Sequence, residues 1–242
     1  MEIIRDDKKI ARYRQIGIIT MFVSIGVLLL GMFVGSNQAW SLLALGGGWL
    51  LAQVSLYLSN RYVRKPRPDE ALDEALEKLV AEKVVKRGRV YHYCLPVSHV
   101  LLTPDGLVLF ILKYQRGNMV ADGDKWRQTR TGLFNLNKYL GQENIGNPSR
   151  EAESALQVTA NFLKKHAPQV EEVPMAVLIA FTTVANSQLD VQKSRIPAMH
   201  MSKVKGYLKQ QWQKRTPMAR GDYEAIQAAF DKAAGVNGAG QA

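Results

Sequence analysis

QIGIITMFVSIGVLLLGMFVGSNQAWSLLALGGGWLLAQVSLYLSN, Gln15 to Asn60, contains no Asp, Glu, Lys or Arg. Two apolar runs lie inside it, Ile16–Val34 and Ala39–Leu58, each close to the ~20 residues a helix needs to cross a hydrocarbon core. The polar stretch Gly35–Gln38 between them predicts a tight turn. Backbone in lipid has no water to bond, so each run is expected as a helix and residues 15–60 as a transmembrane hairpin. A soluble core helix rarely comes as two adjacent charge-free runs. A cleaved signal peptide is disfavoured, because a second run follows at once and no A-x-A site ends the first. Neither run carries an ionisable side chain, which disfavours a transport path.

Charge orients the hairpin. Arg5, Lys8, Lys9, Arg12 and Arg14 precede the first run, and Arg61, Arg64, Lys65 and Arg67 follow the second, while the turn has none. Lys and Arg near span ends stay on the cytoplasmic side, so the sequence predicts an integral membrane protein with two spans and both termini cytoplasmic. Tyr13, Tyr57 and Tyr62 fall at the inner interface and Trp40 at the outer one. Gly31 and Gly35 form a G-x-x-x-G, echoed by Ala44 and Gly48; such spacing either closes the hairpin on itself or makes a homodimer through Gly31 and Gly35. The lipid bilayer is the expected partner of the basic linker 61–68, RYVRKPRP, which is expected to be extended.

Over 242 residues, Lys and Arg number 32 against 21 Asp and Glu, a net charge of +11 that points to anionic neighbours. A single cysteine, Cys94, excludes an intramolecular disulfide or a multi-cysteine zinc site; it reads as a small hydrophobe in a strand. The expected organisation is a cytoplasmic basic N-terminus 1–14, the hairpin 15–60, the linker 61–68, a cytoplasmic α/β domain 69–234 and a flexible tail 235–242.

Within the domain, Asp69 is expected to cap a helix to about Arg87 with Leu72, Ala75, Leu76, Leu79 and Val80 inward. VYHYC, SHVLLT and LVLFILK read as strands, with TPDG (Thr103–Gly106) turning between the last two. NMVAD and KWRQT predict a hairpin turning at Gly123. Asn147-Pro148 opens a helix to about His166, with Ala152, Leu156, Phe162 and Leu163 inward. MAVLIAF (Met175–Phe181) reads as a buried strand, and Met201–Arg215 and Asp222–Ala233 as closing helices. This order implies an α/β sandwich around a mixed sheet. No internal repeat, P-loop, Rossmann glycine pattern, H-E-x-x-H or G-x-S-x-G occurs.

SHVLLTPDGLVLFILKYQRGNMVADGDKW and NPSREAESALQVTANFL resemble the core of the nuclease-related domain (NERD) family, over roughly residues 75–190. That family is similar to the restriction-endonuclease-like fold with its D…(D/E)-x-K site, so the resemblance implies a mixed sheet flanked by helices. Such a site needs hard carboxylate oxygens for a divalent cation and a lysine beside the activated water. Residues two apart on a strand share a face, which suits the (D/E)-x-K pair. Lys113 matches the family lysine, but Ile111 stands in the carboxylate position and Ser98 where the family has Asp. The remaining relic candidates are Glu82 and Asp105, the latter in an ordinary Asp-Gly turn, with His99 as a substitute ligand. The expectation is a domain without metal or cofactor; Mg²⁺ enters only if Glu82 and Asp105 rebuild a site beside Lys113.

Lys113, lacking a carboxylate, is expected at an open cleft or snorkelling to the surface. Arg116, Lys125, Arg127 and Arg130, with Tyr114 and Trp126 interleaved, suggest a nucleic-acid groove. Lys113, Arg116, Lys125, Trp126 and Arg127 are the candidate contacts, with DNA or RNA as partner; a solvated hairpin with a structural Trp is the alternative. A second basic segment, Lys203, Lys205, Lys209, Lys214 and Arg215, lines the same groove, lies on the bilayer, or merely covers the sheet. Three functions stay open: an inactive nuclease-like binding or scaffold module, an active nuclease, and a membrane-organising protein without nucleic-acid affinity.

Overall fold

A computed structural model describes residues 1–33, 38–82, 87–129, 144–183, 188–212 and 216–236. The chain forms two compact units, one built on Asp7–Arg67, the other on Met1–Asp6 together with the described residues of Pro68–Thr131 and Ile145–Ala242.

The first unit is an antiparallel helical hairpin of α1 (Asp7–Phe33) and α2 (Gln38–Leu58). Both helices are long and apolar enough to cross a membrane. At 1.5 Å per residue, the 21 residues of α2 span about 30 Å, the thickness of a hydrocarbon core. Large apolar side chains point outward: Phe22 is 66% exposed and Leu43 66%. Small residues face inward at a seven-residue spacing, with Gly17, Ser24 and Gly31 buried on α1 and Gly48 and Ser55 on α2. A repeat of seven keeps one seam facing its partner along both helices. Ser55 Oγ donates to the Gly17 carbonyl at 3.0 Å, and Ser41 Oγ donates to that of Gly31. Gly31 serves the closing of the hairpin on itself, the first of the two uses expected of its spacing: a Cβ there would lie 3.0 Å from Ala44 of the same chain. Gly35 is outside the described residues.

The closeness of the seam is testable. A Cβ on Gly48 would lie 2.8 Å from Leu28 Cγ, whereas one on Gly46 meets nothing within 4 Å. Gly48→Ala is expected to destabilise the hairpin by about 1–3 kcal/mol, and Gly46→Ala to leave it unchanged. Loss of helicity on titration with denaturing detergent measures both; equal midpoints would refute the seam.

The linker 61–68 is not extended throughout. Arg61–Val63 continue α2 as a π-helical turn, Ser59–Val63, and Pro68 already opens α3 (Pro68–Ala81).

The second unit is a mixed α/β sandwich. A strand absent from the sequence reading, β1 (Glu2–Arg5), begins it, so the basic N-terminus 1–14 divides between the sheet and α1. β2 (Arg89–His92), β3 (His99–Thr103), β4 (Gly106–Lys113), β7 (Met175–Phe181) and β9 (Ala198–His200) complete a sheet of order β1-β2-β3-β4-β7-β9. β2, β3 and β4 meander antiparallel; β1 pairs parallel with β2, and β4, β7 and β9 are mutually parallel in sequence of neighbours. A smaller sheet takes β5 (Asn118–Asp122), β6 (Lys125–Thr129) and β8 (Leu189–Lys193) in the order β6-β5-β8.

Both faces of the large sheet are covered, which is why β4 reads as an unbroken apolar run. Leu107 and Leu109 face the core shared with α4 (Pro148–His166) and α6 (Arg220–Ala233), through Ala152, Leu163, Ile226 and Phe230. Val108 and Phe110 face the core of α3 and α5 (Met201–Trp212), through Leu72, Leu76, Val204 and Leu208. Strand alternation thus fixes which core each β4 side chain enters. Cys94 lies just beyond β2, half-buried, with Sγ 3.1 Å from the His92 carbonyl, not within a strand.

Candidate functional site

Lys113 closes β4 on the face of Leu107 and Leu109. It is neither at an open cleft nor snorkelling: it is 6% exposed, and its Nζ donates to the Ile145 carbonyl at 3.0 Å and to Glu151 Oε1 at 2.7 Å. The expected lack of a carboxylate is corrected by Glu151, in the first turn of α4. The sequence builds that turn securely. Asn147 Oδ1 accepts from the Arg150 N–H at 3.1 Å, Pro148 starts the helix, and an acid suits its positive end. A buried ammonium needs such partners to offset its desolvation.

The other relic candidates lie elsewhere. β4 has 8 residues, so Asp105, in the turn before it, stands roughly 25 Å from Lys113 at ~3.3 Å per residue. Glu82 follows α3, which covers the opposite face, and pairs with Lys205 at 2.6 Å and Lys209 at 3.7 Å. The hydrogen bond from Lys205 holds its carboxyl below the ordinary range. Ile111, two before Lys113, packs against the α4 core. Lys113, Glu82 and Asp105 are not brought together.

The basic hairpin divides by strand parity. Lys125 and Arg127 are exposed on one face of β6, as is Arg116 before β5. Trp126 points the other way: its indole Nε1 donates to Ser149 Oγ at 2.8 Å and its ring lies 6.0 Å from that of Phe181. It is therefore a strut for the start of α4, not a stacking platform beside the cations. Tyr114 is buried. Gln128 repeats the pattern, donating to the Arg116 carbonyl at 2.8 Å and accepting from the Ile145 N–H at 3.1 Å. The outer face of the small sheet is a shallow depression lined by Lys125, Arg127 and Lys193, but also by Asp122 and Asp190. Lys193 lies 3.5 Å from Asp122, which also faces Lys125 across the strand pair. On α5, Lys205 and Lys209 turn to Glu82; Arg130, Lys214 and Arg215 fall outside the described residues.

A second polar cluster was not anticipated. Arg5, ending β1, reaches Asp73 and lies 3.1 Å from Asp69, both on the inner face of α3. Asp73 Oδ1 is 2.7 Å from His92 Nε2, and His92 Nδ1 is 2.9 Å from His99 Nδ1. Asp69 and His92 are fully buried, and Asp73 and His99 nearly so. In the tautomer with the proton on Nε2, His92 donates to Asp73 and its Nδ1 can accept from His99. The sequence signal was present. Asp69 and Asp73 share the helical stripe of Leu72 and Leu76, where unpaired acids do not belong.

Among the described residues, no group of three or more His, Cys, Asp or Glu side chains is placed to hold a metal ion. No family model, curated protein or solved structure matches the chain.

Proposed function

We propose that the chain is a membrane-anchored, nuclease-like module, of restriction-endonuclease-like ancestry, that binds nucleic acid on the cytoplasmic face without cutting it. The observation that carries the non-catalytic reading is the engagement of Lys113 with Glu151, with Ile111 in the position of a metal-holding acid. Glu151 is taken up by Lys113, and no acidic pair among the described residues is placed to fix Mg²⁺. Two apolar helices and their flanking cations support an anchor with both termini cytoplasmic. The nucleic-acid contacts narrow to Arg116, Lys125 and Arg127, since Lys113 and Trp126 already have partners within the domain.

Three phosphate contacts predict weak, salt-dependent binding. With a slope of about −0.9 per contact, affinity for duplex DNA should fall roughly 40-fold from 50 to 200 mM salt. The test is filter binding of the full chain in detergent, beside plasmid cleavage with Mg²⁺ or Mn²⁺. Binding that disappears in the Arg116→Gln, Lys125→Gln, Arg127→Gln triple variant, without cleavage, is the expected result. Metal-dependent cutting abolished by Lys113→Ala would overturn it. The interleaving of Asp122 and Asp190 with these cations favours one second reading, a scaffold without nucleic-acid affinity. Absence of retention even at low salt would select it.

A further inference from the structure

The helical unit is unusually one-sided in charge. From Asp7 to Arg67 it holds eight cations, Lys8, Lys9, Arg12, Arg14, Arg61, Arg64, Lys65 and Arg67, against the single carboxylate of Asp7. The hairpin is antiparallel, so both groups gather at one end. Tyr13 of α1 stacks on Tyr62 of the π-helical turn with ring centroids 5.2 Å apart. That stack fixes the chain where it leaves α2. One turn back, the Arg61 guanidinium lies over the Tyr57 ring, 3.6 Å from its centroid.

Each feature bears on an anion. A guanidinium held flat on an aromatic face has lost much of its rotamer freedom before any ligand arrives, and its planar fork matches phosphate oxygens. A π-helical turn is costly in a helix and commonly marks a functional position. Here it carries Arg61 and Tyr62, at the end of the hairpin where the cations flanking both helices gather. We propose that this end of the hairpin is a binding site for anionic phospholipid, with the headgroup phosphate on Arg61 and the surrounding cations supplying long-range attraction. The proposal rests on the reading of α1 and α2 as membrane spans.

The site is tested with the full chain in nanodiscs of equal parts phosphatidylcholine and phosphatidylglycerol, counting retained lipids by native mass spectrometry. Native protein is expected to retain phosphatidylglycerol over phosphatidylcholine. Arg61→Gln should cut that preference about fivefold, the effect of one cation at an anionic surface. Tyr57→Leu should weaken it and Tyr57→Phe, which keeps the ring, should preserve it. Equal retention of the two lipids by native protein, or an Arg61→Gln ratio like the native one, would overturn the site. Carbonate extraction separates the premise: a chain released from membranes by carbonate defeats the spanning reading and the site together, whereas a retained chain without lipid preference defeats the site alone.

Discussion

Asp73→Ala is expected to cost about 3–5 kcal/mol of stability, the range found when one member of a buried ion pair is removed. Asp73 accepts from Arg5 through one oxygen and from His92 through the other. Its loss takes one of two carboxylates from Arg5, which keeps Asp69, and strands a buried imidazole. β1 is a short edge strand of 4 residues, so the Arg5 contact to α3 is a large part of what holds it. Hydrogen exchange should therefore quicken first at Ile3–Arg5, whose register on β2 runs Ile3 to Val90 and Arg5 to His92. Asp73→Asn keeps an acceptor for His92 while losing the charge, and should fall between alanine and native. Glu74→Ala, one residue on, removes only an exposed partner of Lys78 and should leave the unfolding midpoint in place. An Asp73→Ala midpoint equal to that of Glu74→Ala would refute the account. The same argument makes any fragment starting near Pro66 a poor substitute for the whole chain, since it discards β1 and Arg5 while keeping Asp69 and Asp73.

How much of this was legible depends on the distance over which each signal acts. The hairpin was visible because helices long and apolar enough to cross a membrane leave a continuous charge-free run, a local property of Gln15–Asn60. β4 and β7 were visible because burial on both faces leaves an apolar run. β1 was not: EIIR is four residues beside a basic stretch, and its partner Arg89–His92 is remote in sequence. The short β8 and β9 were missed for a similar reason, since LDVQK and AMH carry little periodicity. At the candidate site, the partner of Lys113 was not legible, because it arrives on a helix that begins after β6. Strand parity alone separates Trp126 from Lys125 and Arg127, and the small residues Gly31, Ala44 and Gly48 do lie on the hairpin seam, which the seven-residue spacing of Gly17, Ser24 and Gly31 extends along α1.

Gly106→Ala is the second large effect, and it links the turn that was legible to the site that was not. Asp-Gly at Asp105-Gly106 reads as a turn dipeptide, for which glycine is convenient. The fold makes it obligatory. Gly106 has φ +124°, and a Cβ there would sit 2.3 Å from the Pro174 carbonyl oxygen, which accepts from the Leu107 N–H at 2.8 Å. That contact sets the start of the parallel β4–β7 ladder, Leu107 against Met175. Backbone strain of about 1–3 kcal/mol and a backbone clash of about 1–3 kcal/mol should together cost about 2–6 kcal/mol. Gly123→Ala isolates the conformational part: its φ is +61° and nothing lies within 4 Å of its Cβ position, so it should cost far less. The consequence extends to the other end of β4. Side chains alternate along a strand, so a one-residue slip at Gly106 would send Lys113 to the α3 face and break its pair with Glu151. Denaturant unfolding should rank native, Gly123→Ala and Gly106→Ala in falling order, with Gly106→Ala also losing hydrogen-exchange protection across Leu107–Lys113. If alanine at both glycines unfolds at one midpoint, the Pro174 carbonyl does not fix the register of β4, and the position of Lys113 needs another cause.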